Sequence, residues 1–346
     1  MERSFSVIDA DGHVLERDHE LREFMPPQFR AVKGKREYPL FSWDGWARGA
    51  LSPQQREHPS VELWLRFLDA TEITLTVLYP NEGLNIGLQR DRDWAVGLAC
   101  AYNDWLHHEF LCASPRFRGV ALLAPQDPHA AADELERAVK ELGMVAGMLP
   151  AVMSPMRGLG LRDFDPIYRA AEDLDVALAV HSGPVVELGL DHVQSFAGVY
   201  PLSHPFAQMQ QLTSMMIYGV FERFPRLRVA YLESGCGWVP YLADRLDESW
   251  EHRRDRWPCP TTKSPSEFMR GGNLFYACER EESTLPAVAE LIGAGQLLWG
   301  SDFPHERPWD EFRHDLDILI RRADLPESLP YKILFENPQR FYKVKL

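Results

Sequence analysis

Short runs of apolar residues, several of them ended by a histidine or a carboxylate and followed by a stretch of helical period, recur along the whole chain. Val176 to Val180 runs into His181, Leu227 to Leu232 into Glu233, and Leu297 to Gly300 through Ser301 into Asp302. Runs this short and this apolar read as strands covered on both faces, and strands separated by helices pair in parallel. Phe5 to Ala10, Ile73 to Tyr79, Gly119 to Ala124, Val145 to Leu149 and Leu274 to Glu279 bring the set to eight. Eight strands, nearly all followed by a helical segment, predict an α/β fold of the (β/α)8 barrel type in preference to an open sheet. No glycine-rich GxGxxG or GxxxxGK[ST] follows any strand, which removes the dinucleotide and P-loop readings.

In such a barrel all strand C-termini face one mouth, so polar residues far apart in sequence converge there. The expected set is Asp11, His13, His181, Glu233 and Asp302. In Asp9-Ala10-Asp11-Gly12-His13, strand alternation places Asp9, Asp11 and His13 on one face. The competing reading is an Asx turn at Gly12 with His13 on the surface. His181 reads as a metal ligand or as a core histidine bonded to backbone. Ser203-His204-Pro205 reads as the start of a helix from Phe206 to Phe224, with Ser203 as N-cap and His204 in the first turn. That places His204 as a general base, a substrate donor or a structural helix-start residue.

Helices are expected at Trp94 to Leu111, Asp127 to Leu142, Asp165 to Leu174, Val239 to Trp250, Trp309 to Arg322 and Ser328 to Tyr342. An irregular N-terminal insertion, Val14 to Leu68, and a second loop, Ser182 to Leu202, would roof the mouth. Their Trp43, Trp46, Phe196 and Tyr200 suggest a hydrophobic or aromatic substrate. The chain of 346 residues is read as one domain, 1–346. Its 37 basic and 51 acidic side chains give a net charge of −14, which argues against nucleic acid and anionic membrane as partners. Five cysteines without a CxxC pair fit reduced thiols in a cytoplasmic protein. No apolar run approaches the roughly 18 residues of a membrane span.

Asp9-Ala10-Asp11-Gly12-His13, His181 after a fifth strand, Glu233-Ser234-Gly235 after a sixth and Gly300-Ser301-Asp302-Phe303-Pro304-His305 after an eighth together resemble the second amidohydrolase family. That family includes the aminocarboxymuconate-semialdehyde decarboxylase-like enzymes. The resemblance covers essentially the whole chain, and Ser301 to His305 is its most specific part. It implies a distorted TIM barrel with a divalent metal at its mouth, held by the first-strand, fifth-strand and eighth-strand residues. Asp11 stands where the family usually has the first of two histidines, and Glu233 where many members have a histidine that acts on substrate. These extra carboxylates suit a hard ion such as Mn²⁺ or Fe²⁺ beside Zn²⁺, one or two per chain. The resemblance also implies a homodimer or higher oligomer.

Two mechanisms fit the same ligands. The preferred expectation is a metal-dependent hydrolase, in which an activated water attacks an amide, ester or thioester, Asp302 accepts its proton, and His204 or His305 steadies the oxyanion or leaving group. The alternative is a metal-dependent non-oxidative decarboxylase of an aromatic or unsaturated acid, with Asp302 protonating the carbon that loses CO₂ and Arg157 or Arg280 as carboxylate clamp. A third reading is a barrel that binds a ligand without turnover.

Overall fold

The computed structural model describes residues 5–32, 35, 37–38, 59–305, 312 and 314–346. Trp43, Trp46 and Trp309 lie outside the described residues. Eight parallel strands run in sequence order, β1 Ile8–His13, β2 Leu75–Tyr79, β3 Phe117–Leu122, β4 Ala146–Pro150, β5 Ala177–His181, β6 Val229–Tyr231, β7 Leu274–Ala277 and β8 Leu297–Leu298. All but Arg118 in β3 are buried residues, which is why these segments carry apolar side chains on both faces instead of an alternating pattern. The barrel is distorted, since β6 has three residues and β8 two. Its seam is closed by backbone hydrogen bonds, Ala10 N to Trp299 O at 3.1 Å, Asp302 N to Asp11 O at 2.8 Å and His13 N to Phe303 O at 2.7 Å.

Helices wrap the barrel, and local chemistry sets their starts. Ser60 caps Val61–Thr71 by accepting from Leu63 N, and Asp127 caps Pro128–Lys140 by accepting from Ala130 N, with proline in the first turn. The N-terminal insertion is not a plain loop: it carries the helices Asp18–Phe24, Pro27–Arg30 and Val61–Thr71. The last of these holds the seam. Trp64 Nε1 donates to His13 O at 3.2 Å, and Phe67 stacks on Phe303 with ring centroids 4.0 Å apart.

One helix differs from expectation. The chain after β5 turns helical at Phe196 and continues to Ile217, with Ser195 as its N-cap, so Ser203 and His204 are interior residues. Pro201 and Pro205 lie inside it, and a proline read as a helix start in sequence is here a tolerated interruption. The second roofing loop is correspondingly shorter. Tyr79 and Tyr342 hydroxyls meet at 2.6 Å and Tyr342 also donates to Ala10 O at 2.7 Å, tying the C-terminal helix Asn337–Tyr342 beneath β1 and β2.

Candidate active site

The five expected ligands emerge at or just beyond strand ends by local necessity. The β1–β2 register slips between Asp9 and Gly12, and this bulge breaks the alternation that would have kept Asp9 beside Asp11 and His13. Asp11 and His13 therefore face the mouth while Asp9 turns into the wall. There Asp9 accepts from Ser301 N at 2.7 Å, Ser301 Oγ at 2.8 Å, Thr76 Oγ1 at 2.8 Å and Asp11 N at 3.3 Å. The bulge depends on Gly12, where a Cβ would stand 2.5 Å from the Trp64 ring and 2.8 Å from Thr76 Oγ1. His181 ends β5. Glu233 and Asp302 follow β6 and β8 with φ of 51° and 55°, the left-handed region that costs a non-glycine residue about 1 kcal/mol or more and recurs at functional sites.

These side chains surround one point. His13 Nε2 lies 3.5 Å from Asp11 Oδ1, 3.5 Å from Asp302 Oδ1 and 3.9 Å from Glu233 Oε2. His181 Nε2 lies 3.4 Å from both Asp11 Oδ2 and Glu233 Oε2. The backbone decides the tautomers. His13 Nδ1 donates to Pro80 O at 2.8 Å and His181 Nδ1 to Ser182 O at 2.7 Å; a carbonyl only accepts, so each neutral ring turns the lone pair of Nε2 inward. Both Nε2 atoms and Asp11 Oδ1 are buried without a hydrogen-bond partner among the described residues. Lone pairs and carboxylate oxygens pointed at one another across 3.4–3.9 Å repel unless a cation stands between them, so the donor set fits a divalent metal ion.

The charges agree. Burial pushes the Asp11 carboxyl up, partly offset by His181, and pushes His13 well below its usual range, aided by the neighbouring histidines. Burial also opposes charge on His181, but Asp11 outweighs it and the net direction is up. Asp302 is pushed up by burial and pulled down further by His305, His13 and His181, to about 2.

His305 is close enough to His13, Glu233 and Asp302 to share an ion with them, but its ring nitrogens are already engaged, and His204 stands behind Glu233. His305 Nδ1 is 2.6 Å from Asp302 Oδ1, and its Nε2 is 2.7 Å from Asn81 Oδ1 in the loop after β2. Asn81 Nδ2 donates to Glu82 Oε1, which fixes the amide so that its oxygen faces His305. His204 Nε2 is 3.4 Å from Glu233 Oε1, and burial, followed by the charge of His181, lowers its pKa to about 3, leaving a neutral imidazole. Asn81 was not legible as a site residue in the sequence; a polar residue two positions beyond a strand end was the available signal.

The metal point opens into a cavity of about 590 Å³, within the range of small-molecule sites. Tyr200, Pro201, His204 and Pro205 form one wall, and the turns after β6, β7 and β8 the others. Arg280 lines it; Arg157 lines a separate cavity beside Arg90 and Arg92 and pairs with Asp163 at 2.8 Å.

Comparison with known proteins bears on which of the two chemistries to expect. Gamma-resorcylate decarboxylase of a Rhizobium species is 27% identical over 294 residues, covering 81% of this chain and 86% of that protein. The 2-amino-3-carboxymuconate-6-semialdehyde decarboxylase of Dictyostelium discoideum is 27% identical over 214 residues, 61% of this chain and 57% of that one. A crystal structure of 5-carboxyvanillate decarboxylase from Novosphingobium aromaticivorans, with bound manganese and 3-methoxy-4-hydroxy-5-nitrobenzoic acid, has the same fold with a TM-score of 0.74 at 23% identity, covering 99% of this chain and 98% of that one. The hydrolase expectation is therefore corrected. The same donors serve both chemistries, and the extra carboxylate at Glu233 carried no information about which bond is broken. The sequence profile of one family, described as amidohydrolase, matches residues 8–344, and the chain belongs to that family.

Proposed function

We propose that the protein is a metal-dependent, non-oxidative decarboxylase of a small aromatic or unsaturated carboxylic acid. Asp11, His13, His181 and Asp302 would hold the ion, with Glu233 between it and His204. An ion bound there supplies positive charge for a substrate carboxylate and the oxygen next to it. The feature that most supports this reading is the 2.6 Å contact of Asp302 with His305. Because Asn81 Oδ1 accepts only, His305 Nε2 keeps its hydrogen, and one further proton is shared between His305 Nδ1 and Asp302 Oδ1. That proton adds to the substrate carbon bearing the carboxylate. The bond from that carbon to the carboxylate then breaks, its electron pair returns to the ring or double bond, and CO₂ leaves. Neutral His204 offers a hydrogen bond to a ring substituent, and its proton is not the one transferred.

The test is release of CO₂ from a panel of ortho-hydroxybenzoates by the manganese-loaded chain, with Asp302→Asn as control. No release from any of them by protein of full metal content overturns the reading. The same reading keeps the enzyme in the cytoplasm, in accord with five free cysteines and with no described helix long and apolar enough to cross a membrane. It further takes the protein to act as a homodimer, which the mass in solution at micromolar concentration checks.

A further inference from the structure

The turn after β6 carries Glu233 in a costly backbone conformation. Glu233 and Gly235 are both left-handed, with φ of 51° and 62°, and the strand behind them has only three residues. A residue other than glycine keeps such a conformation only where its surroundings over-determine it. The restraint comes from another element. Glu282, between β7 and the short helix Leu285–Val288, turns its carboxylate onto the far limb of this turn. Oε1 accepts from Cys236 N at 2.9 Å and from Gly237 N, and Oε2 accepts from Cys236 N at 3.1 Å and Cys236 Sγ at 3.2 Å. Thr284 Oγ1 and Glu279 N donate to the same carboxylate at 3.2 and 3.3 Å.

Glycines make room for it. A Cβ at Gly235 would stand 3.2 Å from Glu282 Oε1, and one at Gly237 3.0 Å from that oxygen and 2.6 Å from Thr284 Oγ1. Trp238 Nε1 closes the turn by donating to Gly235 O at 2.9 Å. The charge of Glu282 is spent on this turn: it makes no ion pair among the described residues, and the nearby Arg280 is engaged by Asp315 at 2.9 Å. Its compensation is the two amides and the N-terminus of the helix Trp238–Arg253 that follows them, where a carboxylate is favoured. The clamp is itself anchored, because Arg322 Nη1 donates to Glu282 O at 2.9 Å and to Arg280 O at 3.1 Å.

We propose that Glu282 is the positioning residue for Glu233. Its carboxylate locks the turn after β6 and so holds Glu233 Oε2 3.4 Å from His181 Nε2 and 3.9 Å from His13 Nε2. Without the clamp the turn relaxes, Glu233 swings away, and the ion loses one negative charge from its surroundings. The proposal rests on the metal-dependent reading of the site and goes beyond it, giving the segment after β7 control of a group after β6.

The experiment is a double-mutant cycle read by calorimetric manganese titration, with turnover measured beside it. Glutamine at position 282 keeps the volume but offers one acceptor oxygen, and its amide meets the donors of the turn. Glu282→Gln is expected to weaken manganese binding about tenfold, as loss of a group that orients metal-site residues does, and Glu233→Gln at least as much. Adding Glu282→Gln to Glu233→Gln should then change the affinity less than about twofold, because the group it positions is already gone. Glu282→Asp keeps both acceptor oxygens and should recover part of the loss. Gly235→Ala crowds the same carboxylate and supplies a second cycle if Glu282→Gln fails to fold. Manganese affinity in Glu282→Gln within about twofold of the wild type, or full additivity with Glu233→Gln, makes Glu282 a cap for the following helix and overturns the inference. Binding is read without substrate, so that result leaves the decarboxylase reading to its own CO₂ test; a wild-type chain that binds no manganese would sink both.

Discussion

His305 Nδ1 lies 2.6 Å from Asp302 Oδ1, close enough for one proton to belong to both. Both ring nitrogens of His305 are occupied, one by Asp302 and one by Asn81, which fits the proton role proposed for it better than a place on the metal. We expect His305→Ala to lower turnover about 10²- to 10⁴-fold, the usual range for a lost general acid, with metal content unchanged. Asp302→Asn should lose turnover and metal together. Asn81→Leu frees the ring to rotate and should cost about tenfold with metal retained. Steady-state CO₂ release beside elemental analysis separates the three, and loss of metal in His305→Ala would contradict the assignment.

Removal of the ion leaves Asp11, Glu233 and Asp302 facing one another without a counter-charge. A chelator should therefore abolish turnover and lower the melting temperature by about 5 °C or more, the effect of a ligand present well above its dissociation constant. Manganese should restore both. In His13→Ala and His181→Ala each restoration should need about ten times more manganese or fail. A melting temperature indifferent to chelation in the wild type would argue against a bound ion.

Asp9 is a structural residue despite its place in the motif. Its carboxyl joins β1, β2 and the turn after β8, and Asp9→Ala should lower stability by about 3 kcal/mol through four lost acceptor contacts in the interior. Burial raises its pKa to about 7 against the pull of its bonds to Ser301, Thr76 and Asp11, whereas in the unfolded chain it titrates near 3.8. Between those values the native state holds a proton that the unfolded chain has released. Unfolding then releases a proton, so stability falls as pH rises from about 4 to 7. Glu16, raised by burial to about 8, adds a slope of the same sign. Asp9→Asn keeps its partners, because both hydroxyls can turn to accept, and removes this part of the slope. Denaturant unfolding of the metal-free chain at pH 5 and pH 8 should show the variant gaining on the wild type at the higher pH.

Gly300 packs against Asp11 with no room for a side chain. A Cβ there would lie 2.4 Å from Asp11 Cβ and 3.0 Å from Asp11 O. Gly300→Ala must push the β8 end away from β1 and carry Asp11 off the metal point. About tenfold weaker manganese binding is expected from a metal titration, with unfolding still cooperative. Unchanged metal affinity would mean that Asp11 is not a ligand.

The barrel was legible because most of the buried strands are contiguous apolar runs, and a polar residue at the end of such a run has few roles other than the mouth. His181, Glu233 and Asp302 came from that rule. Asp9 did not separate from Asp11 in the sequence, since a bulge leaves no mark on residue type beyond Gly12. His204 was found on the site wall although its helix is capped at Ser195, eight residues before the Ser203 that Pro205 suggests; Pro205 read as a boundary, and packing overrides it. The partners Asn81 and Asp315 lie on other elements, 224 and 35 residues from His305 and Arg280, so no local pattern announces them. Reaction class was beyond the sequence pattern because hydrolysis and decarboxylation ask for the same ion in the same donors.

Ser301, which fixes Asp9, and Tyr342, which reaches Ala10, stand 292 and 332 residues from their partners, on the far side of the seam that closes the barrel. During synthesis the first strand therefore leaves the ribosome long before anything can hold Asp11 and His13 in place. The nascent chain has no assembled ion site until its last helices emerge. A fragment that stops before β8 should lack Asp302 and the contacts that seat the backbone of Asp11 and His13, and should bind manganese far more weakly than the whole chain.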